Sequence, residues 1–194
     1  MAAGRTGAGR DAVVVIGVLL LVGVACGILW SLVVTPAEFT KVANGGAMDE
    51  DQLSRQFGTD AWYVLIAVVA GLVAGACLTW WRSRDAVLTS GLLLAGSVLA
   101  AVAMALTGHL LGPGDPKAAL AAAKLGVRVP ESLDVGTRPL WPLTDYLRET
   151  VTVYLAWPIG ALAGALLVLL GRPPDHPETS PQPREPDSLP RATR

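Results

Sequence analysis

The chain has 194 residues, of which 52% are hydrophobic and only 16% are charged, and its mean hydropathy is +0.49. Soluble domains carry about a quarter charged residues, so this composition indicates a chain in contact with lipid. The formal net charge of −1 provides no basic field for a nucleic acid, and the sequence has no Walker loop, GxSxG, HExxH or CxxC motif. Nothing in these patterns predicts a cofactor or a metal.

Four apolar stretches have the length of a transmembrane helix, for which roughly 20 residues are needed. The first, 12–34, exceeds the roughly 7–15 apolar residues of a signal peptide, so we interpret it as an uncleaved span. The predicted fold is an all-α membrane protein, a four-helix bundle whose two outer loops form a small cap. Its segments are a cytoplasmic N-terminus at 1–11, spans at 12–34, 60–81, 86–111 and 149–171, outer loops at 35–59 and 112–148, a cytoplasmic turn at 82–85, and a disordered cytoplasmic tail at 172–194.

The second span carries aromatic residues at both ends. Trp62-Tyr63 and Trp80-Trp81 lie about 18 residues apart, which is roughly 27 Å of helix and close to the thickness of a hydrocarbon core. Because Trp and Tyr prefer the headgroup layer, we expect these two pairs to mark the two membrane faces.

Arginines next to the span ends predict the orientation. Arg10, Arg82, Arg84 and Arg172 adjoin spans on one side, whereas only Arg148 does so on the other. Positive residues close to span ends stay on the cytoplasmic side. We therefore predict a multi-pass protein of the inner (plasma) membrane with both termini in the cytoplasm and both long loops outside.

The first outer loop has two competing interpretations. Thr35-Pro36-Ala37-Glu38 matches a helical capping box, whereas Asn44-Gly45-Gly46 matches a hairpin turn, which we favour slightly. Glu50 to Phe57 predicts a short helix that ends at Gly58. The acidic run Asp49-Glu50-Asp51 is typical of a helix start, where the helix dipole favours carboxylates, more than of a metal site.

The second outer loop and the last span contain proline signals. Asp115-Pro116 predicts the start of a short helix at 116–125 that Gly126 ends, followed by an extended segment from Val127 to Pro130. Pro139, Trp141 and Pro142 indicate a chain that lies along the membrane interface. Pro158 is expected to kink the fourth span because it removes one backbone hydrogen bond.

Pairs of small residues recur at the GxxxG spacing. They allow close van der Waals packing between helices in lipid, either within one bundle or across a homodimer. The two cysteines, Cys26 and Cys77, fall at different membrane depths and are predicted not to pair. The small-residue pairs are Gly23/Gly27, Gly71/Gly75, Gly160/Gly164 and the softer Gly91/Ala95.

One set of polar residues could carry chemistry. Asp60, His109 and Glu149 all fall at the outer ends of their spans, with Asp145 and Arg148 close by in sequence. A histidine beside two carboxylates can bind zinc or act as a general acid–base. The alternative is structural: Asp60 caps the second helix, Glu149 lies in the first turn of the fourth, and His109 bonds a loop carbonyl.

Several short segments resemble a family of uncharacterised actinobacterial membrane proteins, a domain of unknown function. They are Gly27-Ile28-Leu29-Trp30 followed by Thr35-Pro36, then Asp60-Ala61-Trp62-Tyr63, then Gly108-His109-Leu110-Leu111-Gly112-Pro113, and finally Trp157-Pro158. The resemblance covers about residues 12–171, although Ala61 stands where the family pattern has glycine. It implies a four-span envelope protein and no particular activity.

From these observations we expect a structural or accessory component of cell-envelope assembly or transport, with the lipid bilayer and a membrane or envelope protein as partners. The spans contain no Asp, Glu, Lys or Arg in their interiors, which counts against an ion-coupled pump. Two alternatives stay open. One is a channel or transporter subunit for a lipid or small apolar solute, and the other is a membrane enzyme that uses Asp60, His109 and Glu149.

Overall fold

The computed structural model describes residues 3–81, 86–135 and 153–171. Most of these residues are helical, and the remainder form a small sheet and its connections. In chain order the elements are α1 (Ala3–Val33), β1 (Glu38–Val42), β2 (Gly45–Ala47), α2 (Glu50–Trp81), α3 (Ala86–Leu111), α4 (Pro116–Ala122), β3 (Arg128–Pro130) and α5 (Ala156–Gly171).

Three of the helices, α1, α2 and α3, are long and apolar enough to cross a membrane, and α5 is a shorter apolar helix of 16 residues. Their sides expose large apolar residues to the surroundings, as expected for a protein whose solvent is lipid. Examples are Leu21, Leu32, Leu65 and Leu170, of which between 53% and 78% is exposed.

The helices associate as two tight pairs, α2 with α5 and α1 with α3, and α3 joins the pairs by packing on α5. Glycines allow this contact because they bring two backbones together. A Cβ atom at Gly71 would lie 2.6 Å from the carbonyl oxygen of Trp157, and one at Gly160 would lie 2.5 Å from that of Val68. The same glycine spacing on α1 brings Gly23 against Ala100 of α3.

The GxxxG pairs on α1, α2 and α5 are thus used within the bundle. A homodimer through those same faces stays a prediction, and it would have to displace the neighbouring helix. A Cβ atom added at Gly91 would meet nothing within 4 Å. Among the described residues, the Gly91/Ala95 face of α3 therefore does not bring two helix backbones into contact. Both cysteines are free, as predicted.

Buried aromatic residues fill the end of the bundle near Val33 and Leu111. The rings of Trp30 and Tyr63 meet edge to face with centroids 5.3 Å apart, and Tyr63 also contacts the ring of Tyr154. The Tyr63 hydroxyl donates to the carbonyl oxygen of Ala101 over 2.9 Å. Tyr63 is therefore a core residue and not a headgroup-layer residue as expected, whereas its neighbour Trp62 is 45% exposed.

The two long loops build one three-stranded antiparallel sheet of order β2-β1-β3. Strands β1 and β2 form the hairpin expected around Asn44, with Val42 opposite Gly45, so the capping-box alternative at Thr35 is wrong. Strand β3 comes from the second loop and pairs Val129 with Phe39. We call residues 34–59 and 112–135 the cap, because they form one unit over this end of the bundle.

Helix α2 differs from the expectation because it continues through Gly58 to Trp81. It begins where Asp49 accepts a hydrogen bond from the backbone N–H of Gln52, which confirms the acidic run as a helix start. A glycine inside a helix costs only about 1 kcal/mol relative to alanine, and the rest of this 32-residue helix outweighs that cost. Ten residues assigned to the first loop therefore extend the second helix beyond the apolar stretch.

Helix α4 is shorter than predicted and ends at Ala122, because Ala123 is extended. Asp115 caps its start, as expected, by accepting from the N–H of Lys117. Gly126 acts later, with φ +81°, in the turn that leads into β3, and its N–H donates to the carbonyl of Lys41. The turn at Leu155 interrupts the helical chain just before Pro158, consistent with the expected effect of that proline.

Several predictions lie outside the described residues. They concern the turn at 82–85, the interfacial segment with Pro139, Trp141 and Pro142, the residues Asp145, Arg148 and Glu149, and the tail at 172–194.

Candidate functional site

A cavity of about 490 Å³ opens in the cap, between the hairpin, the first turns of α2 and the second loop. This volume is in the range of about 300–1,000 Å³ that small-molecule sites occupy. Its wall combines apolar and polar side chains from both loops. They include Pro36, Phe39, Gln56, Thr59, Asp60, His109, Pro113, Asp115, Lys117, Leu120, Glu131, Ser132 and Asp134.

His109 stands in this wall at the end of α3 and is paired with Asp134. The His109 Nδ1 atom lies 2.6 Å from Asp134 Oδ1, and both side chains are half-exposed. The second oxygen of Asp134 accepts from the Ser132 hydroxyl, also over 2.6 Å. This pairing orients the imidazole, because a carboxylate on Nδ1 requires the proton at that nitrogen and leaves Nε2 as the other functional atom.

Glu131 lies beside this pair and is half-buried. Gln56 of α2 donates from Nε2 to Glu131 Oε1 over 2.9 Å. Burial raises the pKa of the Glu131 carboxyl, and the charges of Asp134 and Asp60 raise it further, whereas the Gln56 hydrogen bond opposes these effects. Burial and the neighbouring charges thus disfavour the charged form of the Glu131 carboxyl.

The backbone of both loops fixes these side chains in place. The N–H of Glu131 donates to the carbonyl of Ala37 over 2.7 Å, which continues the pairing of β3 with β1. Gln52 of α2 accepts from the N–H of Glu38 at the start of β1. Leu133 is buried against Gly112, where a Cβ atom would approach its side chain to 2.8 Å. The segment from Glu131 to Asp134 is therefore held at both ends.

The structure brings together two of the three residues that the sequence singled out. Asp60 and His109 line the same cavity, whereas Glu149 lies outside the described residues. Sequence reasoning missed Glu131 and Asp134, which supply the carboxylates around His109. The available signal was that Glu131 and Asp134 follow the extended segment ending at Pro130. An extended segment that pairs with β1 brings the residues after it close to the start of α2.

The described residues contain no group of three or more His, Cys, Asp and Glu side chains arranged to hold a metal ion. The zinc interpretation of His109 therefore has no geometric support in that part of the chain. What the wall offers is hydrogen bonding, mainly through carboxylate oxygens and an imidazole, beside the aromatic ring of Phe39.

Three of the four segments on which the family resemblance rests contact one another at Trp30, whose ring meets that of Tyr63 edge to face. Trp30 donates from Nε1 to the carbonyl of Thr59, beside Asp60, and Gly108 lies against the Trp30 ring. Trp157 donates from Nε1 to the Met104 sulfur over 3.4 Å.

No family model, no curated protein and no solved structure matches this chain.

Proposed function

We propose that this chain is a four-span protein of the inner (plasma) membrane, with both termini in the cytoplasm and the cap outside. Its function is that of an accessory component of cell-envelope assembly or transport, and the cap is the part that recognises another molecule. The resemblance to the actinobacterial family belongs to this proposal, since it implies an envelope protein of the same span count.

The observation that carries the proposal is the joint construction of the cap. Strands from two loops far apart in sequence share one sheet, and the sheet is fixed to α2 through Gln52. Loops whose only task is to connect spans need no shared sheet. The cavity gives this unit a concave surface, lined by both polar and apolar side chains, at the end of an otherwise apolar bundle.

The bundle itself supports an accessory role more than transport. The spans carry no Asp, Glu, Lys or Arg in their interiors, and glycines bring backbones into contact in both helix pairs. Solute pathways through membranes are usually marked by such ionisable residues.

Site-specific photocrosslinking in native membranes tests the recognition role. A photoreactive residue replaces Lys117, which is exposed beside the cavity, and a control carries it at Leu170 on the exposed side of α5. We expect a discrete protein adduct from position 117 that is absent from position 170, with the partner identified by mass spectrometry. Adducts of lipid alone at both positions would refute an accessory role through the cap.

A second candidate, the membrane enzyme, is favoured by the His109–Asp134 pair in the cavity wall. A histidine held by a carboxylate is a general base in many hydrolytic sites. Its test compares His109→Ala and Asp60→Ala with a full deletion. The variants are expressed in cells that lack the protein. If both variants, present at normal protein level, restore the function lost in the deletion, the enzymatic candidate is excluded.

A further inference from the structure

We infer that the cap cavity binds a small, uncharged or amine-bearing carbohydrate of one or two sugar units. This inference rests on the proposed recognition role of the cap and adds a small-molecule ligand of stated chemical class to the protein partner proposed above. Three observations support it: the use of hydrogen-bond donors in the wall, the charge of the wall, and its mixture of aromatic and polar side chains.

Three polar side chains of the wall already donate hydrogen bonds to acceptors of the protein. Gln56 donates to Glu131, the Ser132 hydroxyl donates to Asp134, and the Thr59 hydroxyl donates to the carbonyl of Arg55. Acceptors, in contrast, remain open. Nε2 of His109 and Oε2 of Glu131 have no hydrogen-bond partner among the described residues. A matching ligand must therefore bring donors, which hydroxyl and ammonium groups do.

The charge of the wall selects among such ligands. Four carboxyl residues line the cavity, Asp60, Asp115, Glu131 and Asp134, against Lys117 and the imidazole of His109. The carboxylates of the wall repel a negatively charged phosphate at close range in a partly desolvated site. Phosphorylated sugars are therefore disfavoured. A protonated amine on the ligand is attracted by the same carboxylates and should bind more tightly.

The apolar part of the wall completes the match. Phe39 and three prolines supply flat, nonpolar surface beside the carboxylates. Small-molecule sites combine such surface with a few placed polar groups that fix orientation. A pyranose ring has both kinds of surface, with nonpolar C–H faces and a rim of hydroxyls.

Saturation-transfer NMR on the full-length chain in detergent micelles tests this inference with three probes: glucose, glucosamine and glucose 6-phosphate. At about pH 6.5, where the amine is charged, and at low salt, we expect glucosamine to bind about fivefold tighter than glucose. Glucose 6-phosphate should show no saturable binding. Absence of binding by all three sugars, or binding of the phosphate equal to that of glucosamine, overturns the inference.

Two matched variants test whether the sugar binds in the cavity. Glu131→Gln removes one wall charge and keeps an oxygen that accepts from Gln56, whereas Glu50→Gln makes the same change at the exposed start of α2. Glu131→Gln should reduce the glucosamine preference to about twofold or less, and Glu50→Gln should leave it unchanged. Equal effects of the two variants also overturn the inference. Because crosslinking at position 117 measures a protein partner independently, the proposed function and this inference can fail separately.

Discussion

The indole Nε1 of Trp30, near the end of α1, donates a hydrogen bond to the carbonyl oxygen of Thr59 in α2 over 3.1 Å. Trp30 is fully buried, and Gly108 of α3 lies against its ring. One side chain thus joins three helices directly below the cap. Because Asp60 follows Thr59 and His109 follows Gly108, this contact sets the spacing of two residues in the cavity wall.

Replacing Trp30 with phenylalanine tests the energetic weight of that contact. The variant keeps most of the apolar surface but leaves the Thr59 carbonyl without the indole donor, which costs about 1–2 kcal/mol. We expect the Tm in detergent micelles to fall by about 2–8 °C. The matched control is Trp62→Phe, since Trp62 is 45% exposed, and its Tm should change by less than about 2 °C. Equal shifts would contradict the role assigned to Trp30.

Adding a methyl group at Gly75 tests the close packing of α2 on α5. A Cβ atom there would overlap the carbonyl oxygen of Ala161, so the helices must move apart. Overpacking of this kind costs about 1–3 kcal/mol, and Gly75→Ala should lower the Tm by about 2–10 °C. Gly17→Ala is the control, because a Cβ atom at Gly17 meets nothing within 4 Å. A loss of stability as large in the control would show that the contact is unimportant.

Gly58 offers a change in the opposite direction. It lies inside α2, and a Cβ atom there also meets nothing within 4 Å. Alanine in a helix interior is better than glycine by about 0.5–1 kcal/mol, so Gly58→Ala should raise the Tm by about 1–4 °C. A decrease in Tm would indicate that the helix ends at Gly58, as the sequence alone suggests.

The raised pKa of Glu131 makes a prediction about pH. A carboxyl whose pKa is higher in the folded than in the unfolded state favours folding when it is protonated, and this contribution is lost as the pH rises through the folded pKa. Glu131→Gln should therefore be more stable than the unmodified chain at about pH 7 and nearly equal to it at about pH 4. Thermal unfolding of both proteins at the two pH values measures this difference. A Glu131→Gln protein that is less stable at neutral pH would contradict the direction of the shift.

The proposed topology is testable by cysteine labelling in intact cells. In a background with Cys26→Ala and Cys77→Ala, a cysteine is introduced at Lys124 in the cap or at Arg10 near the N-terminus, both exposed positions. A membrane-impermeant maleimide should label Lys124→Cys in intact cells and Arg10→Cys only after lysis. The reverse pattern would show that the chain has the opposite orientation. Labelling of both positions in intact cells would refute the proposed topology.

The compositional signals predict the apolar parts of α1, α2 and α3, but not the starts of α1 at Ala3 and of α2 at Glu50. Long apolar runs predict α1 to α3 because a membrane-spanning helix must satisfy its backbone internally, and the turn residues at Asn44-Gly45 predict the hairpin. Local signals failed at two residues. Gly58 does not end α2, and Tyr63 turns inward to the Ala101 carbonyl instead of to the headgroups.

The site shows the same division between local and distant information. His109 and Asp60 stand out because polar residues are rare at the ends of apolar runs. Glu131 and Asp134 do not stand out, because acidic residues are ordinary in loops. Their place beside His109 depends on the pairing of β3 with β1, which joins residues about 90 positions apart.

That pairing also has a consequence for the order of assembly. In the proposed topology, β1 reaches the outer face before α2 and α3 are inserted, but its partner β3 is synthesised only after both. The hairpin β1-β2 must therefore wait with one edge open, and an open strand edge is a liability that proteins normally cover. Completion of the sheet requires insertion of the third span, so a closed cap distinguishes a chain that has inserted its first three spans from one that has not.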